Sequence, residues 1–577
     1  MKETFFVSGD IHYFRIYPGG MRRRLELMKA FGITVLQTYV PWNLHEPKKG
    51  KFVWDGLCDL EGFLSLADEM GFHVFLRPSP YICSEWELGG IPSWVLADGA
   101  ILRTHDEKFL RCVADYYKVL CAKFRPYLKT NGGPIAAVAI ENEYGSFGND
   151  HQYLEALRNL LSENGINVPF YTTDGHLNTD LFYGTIPNVW AGVNYRIESK
   201  EAIESLKKNQ KNKPALIGEY WSGRAIHWGE PFEHRVIEDV ANGFKEALEN
   251  DGHLSFYMFA GGTNFGFMNG ANFGHSFSVP RDTPARYIPH TTTYDEDALI
   301  NEQGLPTKKY HACRKVLWEF LGKPMPPMPK QNYRAQIIEP ISLDQSCSLW
   351  DTVDYGNAKR SLLPLTMEQM GQDYGYLLYR THLIGCGERM SLSIKDLHDR
   401  ADVYIDRKYY GTIMRDRENS IEFYIPRNKT VTIEILCENM GRINYGIKMN
   451  EQKGICGPVI IKTRHWIQLF DWETLSVPLK DLNCDTKPFI PAKGPVILKG
   501  AFNAEPGIDT FLDLRNMKKG FVLVNGFNLG RYWNVGPQYT LYVPGELLKE
   551  QNTIEIFEHY GATSYKKIKT RKTAILK

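Results

Sequence analysis

Apolar positions in the N-terminal part of the chain alternate between two rhythms. Short unbroken apolar runs read as buried strands: Phe5 to Ser8, Thr34 to Val40, Phe72 to Arg77, Ile135 to Asn142, Phe170 to Thr173, Val189 to Val193, Ala215 to Tyr220 and Leu254 to Phe259. Between them lie segments with a helical period: Met21 to Phe31, where Leu25, Met28 and Phe31 share a face, then Leu60 to Met70, Phe109 to Phe124, Tyr153 to Glu163, Glu201 to Lys208 and Val236 to Glu249. Gly32, Gly71, Gly165 and Gly252 stand at helix-to-strand joins, where a helix end favours glycine. Eight strands separated by helices predict a (β/α)8 barrel over residues 1–321. A doubly wound open sheet is the rival, but no G-x-G-x-x-G follows the first strand.

Past the Pro-rich stretch Pro324 to Lys330 the helical period disappears and short alternating runs take over, the texture of antiparallel sandwiches. A weak internal repeat relates Val403 to Ile435 with Val522 to Ile556, each copy having a strand, a tight turn (Asp406-Arg407 or Asn525-Gly526) and further strands. Two jelly-roll-like β-sandwich domains are expected. The division predicted is a linker and first part of one sandwich at 322–385, completed by 480–577, with the second sandwich at 386–479.

Composition narrows the function classes. The 577 residues call for about three or four domains. A net charge of +1 gives no footprint for nucleic acid or an anionic membrane. No stretch has the apolar length of a membrane span, and the start MKETFFVSGDIHYF lacks a signal-peptide core, so a cytoplasmic location is expected. Ten cysteines without a C-x-x-C pair fit reduced thiols and argue against zinc. No metal pattern of the H-E-x-x-H kind occurs, and neither metal nor cofactor is expected.

The candidate chemistry is a pair of glutamates. Glu143 follows the fourth predicted strand and Glu219 ends the seventh, and C-terminal strand ends of such a barrel face the active site. Carboxyl groups roughly 5 to 5.5 Å apart there suit a nucleophile and an acid acting on one sugar with retention of configuration. Simpler roles compete: Asn142 and Glu143 as helix caps, Glu219 as ion-pair partner of Arg77 or Arg224, and Tyr39 as a core tyrosine. Cys83 has no paired His and Ser84 no His–Asp partner at useful spacing, so neither reads as a nucleophile.

A series of strings, in order, then resembles the glycoside hydrolase family 35 β-galactosidases over nearly the whole chain: SGDIHYFR, QTYVPWNLHEP, RPSPYICSEWELGGIP, ENEYGSFG, GEYW, YMFAGGTNFGFMNGA and TTYDEDA. The resemblance implies a retaining exo-β-galactosidase acting on short β-galactoside oligosaccharides, with Glu143 as acid/base and Glu219 as nucleophile. It implies galactose contacts from Tyr39, the turn Ile82, Cys83, Ser84 and Glu85, Asn142 and Tyr294. It also implies a homodimer, by analogy alone. Two departures stand out. CSEW replaces the usual CAEW, placing the Ser84 hydroxyl near the sugar, and Arg224 replaces an aromatic on the leaving-group side. Trp221, Arg224, Trp228 and Tyr445 are therefore the expected aglycone wall, with a shifted leaving-group preference. A different glycone, a transglycosylase and a non-catalytic carbohydrate-binding protein are the alternatives.

Overall fold

The computed structural model describes residues 6–577 except 79, 212, 275–284, 296, 331–332, 418, 481, 483 and 565. Eight parallel strands close a barrel in chain order: β1 (Ser8–Asp10), β2 (Val35–Tyr39), β3 (His73–Arg77), β4 (Ile135–Ala139), β5 (Phe170–Gly175), β6 (Trp190–Tyr195), β7 (Ala215–Trp221) and β8 (Gly252–Tyr257), with β8 pairing back onto β1. Helices on the outside bury one apolar stripe each. In Glu107–Phe124 the buried residues are Phe109, Cys112, Val113, Tyr116, Tyr117, Leu120, Cys121 and Phe124, and the Asp106 carboxylate caps the start by accepting from Phe109 N–H at 2.9 Å. The helix Met21–Phe31 stops at Gly32, whose φ of 115° suits a residue without Cβ.

Two strands differ from expectation. The first lies at Ser8–Asp10 instead of Phe5 to Ser8, with Phe5 outside the described residues. β4 ends at Ala139, because Glu141 and Glu143 take left-handed conformations (φ 62° and 49°) that break a ladder. Helices Asn178–Gly184 and Lys308–Leu321 were not foreseen; the first buries only Leu181 and Gly184, too few to write a period.

Beyond the barrel come two sandwiches. One stacks a four-stranded sheet (Ile341–Leu343, Lys566–Arg571, Thr510–Asp513, Thr540–Val543) on a six-stranded sheet containing Gln345–Ser348, Val496–Asn503 and Gln551–Glu558. The other runs from Lys359–Ser361 to Trp472–Val477. The strand Tyr376–Ile384, expected in the first sandwich, pairs along its length with Thr430–Glu438 and with Trp472–Val477 in the second. Residues 359–384 therefore belong there, and the boundary near 385 moves back. The repeat is structural. Hairpins Arg400–Ile405/Lys408–Met414 and Lys519–Val524/Phe527–Trp533 each carry a register shift, after Val403 and Val522. Each turns through two left-handed residues, Asp406-Arg407 and Asn525-Gly526, as two-residue hairpin loops require.

The second sandwich reaches the barrel mouth through the segment 439–445. Met440 and Ile443 join the barrel core, Ala271 N–H donates to Arg442 O at 3.0 Å, and Tyr81 OH donates to Asn444 O at 2.8 Å. Among the described residues no helix is long and apolar enough to cross a membrane.

Candidate active site

Glu219 sits inside β7, 5% exposed, at the barrel's C-terminal end. Its pairing with β8 is irregular between Ile217 and Tyr220, and Gly218 permits the close approach of β5 there. A Cβ on Gly218 would stand 2.1 Å from Thr173 Cγ2. Two hydrogen bonds and an ion pair meet the carboxylate. Tyr39 OH donates to Oε1 at 2.6 Å, Arg77 Nη1 lies 3.2 Å from the same oxygen, and Trp221 Nε1 donates to Oε2 at 3.0 Å. Arg77, at the end of β3, is fully buried. Its Nη2 donates to Thr173 Oγ1 at 2.6 Å and to Asn142 Oδ1, and its guanidinium lies 4.6 Å from the Tyr39 ring centroid. Burial opposes the Arg77 charge, but Tyr39 and Glu219 outweigh it and hold the guanidinium more firmly protonated than usual.

Glu143 lies four residues past β4, partly exposed at the pocket, with its N–H donating to Thr173 O at 3.0 Å. It precedes a short 3-10 turn, yet its side chain makes no capping bond. Instead Asn194 Nδ2, from β6, donates to its Oε1 at 3.0 Å. Burial first, and the Glu219 charge second, push its pKa up to about 8. Asn194 pairs in register with Glu219, so the residue that holds the Glu143 carboxyl stands beside Glu219 on the neighbouring strand. The neighbouring Glu141 is structural. Arg103 clasps it with two bonds of 2.8 and 2.9 Å, and Tyr153 OH donates to it at 3.0 Å.

The turn 82–85 forms the opposite rim. Cys83, Ser84 and Glu85 are consecutive non-glycine residues at φ of 55°, 53° and 49°, a conformation costing of order 1–3 kcal/mol per residue. Surrounding groups impose it. The Arg15 guanidinium donates to Ser84 O, Ile82 N–H donates to Gly89 O at 2.8 Å, and Asn444 Nδ2 lies 3.5 Å from Cys83 Sγ. The Ser84 hydroxyl donates to Ile82 O at 2.9 Å, bracing the turn itself. Tyr294 OH bonds the Glu85 carboxylate and meets Tyr257 OH at 2.6 Å, while the Arg15 guanidinium covers the Tyr294 ring at 3.6 Å. Burial raises the Glu85 pKa despite Tyr294 and Arg15, which favour its charge.

Hydrogen bonds, an ion pair and chain adjacency thus connect Glu219, Tyr39, Trp221, Asn142 and Glu143, and likewise Ile82, Cys83, Ser84, Glu85 and Tyr294, while the Glu219 charge acts on both Glu143 and Glu85 at the barrel mouth. Tyr445 reaches it from the second sandwich, its OH donating to Ser146 Oγ at 2.8 Å and its ionisation opposed by burial and by Glu143. Arg224 is ion-paired with Glu233 and lines with it a small cleft that contains neither catalytic candidate. Trp228 lies elsewhere: it is buried and lines a cavity of about 480 Å³ shared with Arg286, Arg400 and Trp533, which contains neither carboxylate. Its backbone explains the difference, since the N–H of the next residue, Gly229, donates to Gly536 O of the sandwich at 2.8 Å. Sequence reading missed Asn194, Tyr257 and Arg15. Period-2 alternation from the inward Asn194 was available as a signal; the contacts of Arg15 and Tyr257 were not. Among the described residues no group of three or more His, Cys, Asp or Glu is arranged to hold a metal ion.

Comparison with known proteins gives the family and the domains. The profile of Glycosyl hydrolases family 35 matches residues 1–320. Those of the β-galactosidase first all-beta domain and galactose-binding domain match 364–479 and 495–553. A Beta-galactosidase of Xanthomonas manihotis is 38% identical, covering 94% of this chain and 89% of its own. Beta-galactosidase 17 of Arabidopsis thaliana is 37% identical over 96% and 84%, and the Beta-galactosidase of Homo sapiens 35% over 96% and 84%. With barrel and sandwiches both matched, the chain belongs to glycosyl hydrolases family 35 and is a glycoside hydrolase of the β-galactosidase type.

Proposed function

We propose that Glu219 and Glu143 carry out the retaining hydrolysis of terminal β-galactosides in this enzyme, as nucleophile and acid/base. Glu219 Oε attacks the anomeric carbon from below while the Glu143 proton passes to the departing glycosidic oxygen, forming a galactosyl ester and a free alcohol. Glu143, now a carboxylate, takes a proton from water, which displaces Glu219 and releases galactose with its configuration retained. The observation that carries this reading is the asymmetry of the pair. Glu143 is pushed up to about 8 and keeps its proton at neutral pH, while two hydrogen bonds and the Arg77 ion pair position the Glu219 carboxylate. Glu85, Tyr294, Asn142 and the 82–85 turn form the galactose rim; Trp221 and Tyr445 flank the leaving group.

Incubation with a 2-deoxy-2-fluoro β-galactoside followed by mass spectrometry tests the assignment. The adduct is expected on the peptide carrying Glu219, and an adduct on any other residue overturns it. The enzyme is proposed to trim short oligosaccharides, for which cleavage of galactose-β-1,3-N-acetylglucosamine against lactose gives the linkage preference. The ten unpaired cysteines, most of them buried, support residence in a reducing compartment such as the cytosol.

A further inference from the structure

Three arginines, Arg196, Arg224 and Arg235, lie near one another past the C-terminal ends of β6 and β7. β6 and β7 run in register there, with Asn194 opposite Glu219 and Tyr195 opposite Tyr220. The residues alternate in and out of the barrel. Asn194 points in to Glu143, whereas Tyr195 and Tyr220 point out and pack together at 5.6 Å, with Tyr220 OH donating to Val240 O. The next step of β7 turns back to the pocket side. On β7 that residue is Trp221, bonded to Glu219. β6 has ended by then, and Arg196, one residue past it, stands in the bend at the same C-terminal mouth of the barrel.

Arg196 differs from its neighbours. Arg235 Nη1 donates to Trp221 O, and Arg224 is ion-paired with Glu233. Arg196 is only half-exposed and makes no hydrogen bond or ion pair with any described residue. Burial, then the positive charges of Arg224 and Arg235, weaken its hold on its proton, with Glu233 only partly offsetting them. A partly buried guanidinium beside two others is costly unless an anion joins it. Its planar fork matches a carboxylate, which it binds through two parallel N–H donors.

Resting on the hydrolase reading above, we infer that Arg196 selects β-galactosides whose leaving sugar carries a carboxylate, that is, galactose linked to a uronic acid. The uronate sits over Trp221 with its carboxylate on Arg196, and the galactosyl ring stays on Glu85 and Tyr294.

The test compares purified full-length enzyme on galactosyl-β-glucuronate and on galactosyl-β-glucose of the same linkage, with nitrophenyl β-galactoside as reference. kcat/KM is expected to favour the glucuronate about tenfold at low ionic strength, the size of one charge-assisted hydrogen bond, and less as salt is added. Arg196→Gln should lower kcat/KM for the glucuronate substrate about tenfold more than for the neutral one. Arg196→Lys should retain part of the preference and Arg196→Glu should reverse it. Equal kcat/KM for the two disaccharides in the wild type, or a preference untouched by Arg196→Gln, overturns the inference while leaving the hydrolase reading intact. Failure to cleave the nitrophenyl galactoside overturns both.

Discussion

Two clusters of buried charge in this molecule obey opposite rules. Where the sandwiches meet, Arg400 bonds Asp402 at 2.7 and 2.8 Å, Lys519 Nζ donates to Glu438 at 2.8 Å, and His559 lies 3.1 Å from Asp402 and 3.4 Å from Glu438. Burial alone would raise the carboxyl groups. Their cations outweigh it, holding Asp402 down at about 2 and Glu438 below its usual range. In the barrel pocket Glu143 and Glu85 are raised, and beneath them burial and the Glu219 charge raise the Asp10 carboxyl, which Gln37 and Ser255 serve only with neutral hydrogen bonds. Each charge of the first cluster is answered by an opposite charge in contact. The pocket holds more carboxyl groups than cations, so one of them keeps a proton it can transfer. Compensation stabilises; its shortfall supplies an acid.

This contrast breaks if substitutions in the two regions act alike. The largest effect is expected for Glu219→Gly, which should lower kcat on a nitrophenyl β-galactoside by about 10⁴-fold or more, because removing one member of a covalent pair disables the unit. Added azide should restore turnover by attacking the vacated face and yielding α-galactosyl azide, identified by NMR; without rescue the nucleophile assignment fails. Next in size, Asp402→Asn should cost about 3–5 kcal/mol in urea unfolding, since Arg400 and His559 are left in a buried site without their partner. Its kcat/KM per folded molecule should stay within about twofold of wild type, as the sites are separate.

The pH profile sharpens the comparison further. Glu143 acts as an acid only while protonated, so kcat/KM should fall as pH rises through about 8. Asn194 favours the charged form of Glu143, so Asn194→Ala should move that alkaline limb to higher pH. An unmoved limb would detach it from Glu143. The smallest effect concerns acid. Asp402 has its folded pKa depressed from 3.8 to about 2, so its stabilisation is present above 3.8 and lost as pH falls through about 2. Between neutral pH and pH about 2 the wild type should therefore lose more urea stability than Asp402→Asn, and an equal loss would show that Asp402 is not held ionised by its partners.

Much of this was legible in the letters. Barrel strands write themselves as apolar runs because both faces are buried, and the order of β4 and β7 followed from counting them. The same counting misplaced the end of β4, since Glu141 and Glu143 leave the strand through left-handed backbone that no apolar pattern encodes. Strand Tyr376–Ile384 went to the wrong sandwich because alternation identifies a strand but not its partner. Trp228 was drawn to the aglycone wall by its proximity in sequence, whereas its loop turns it toward the sandwiches.

The sequence by itself determined the periodicities, the internal repeat and the pair of strand-end glutamates, because those depend on local spacing and residue type. Only tertiary structure decided which glutamate of IENEYG is clasped by Arg103 and which is left to Asn194. It alone raised the Glu143 carboxyl, through burial and the Glu219 charge, and brought Tyr445 from a distant sandwich to the pocket. A carboxyl group's chemistry is set by what surrounds it within a few ångströms, and those neighbours come from strands far apart along the chain.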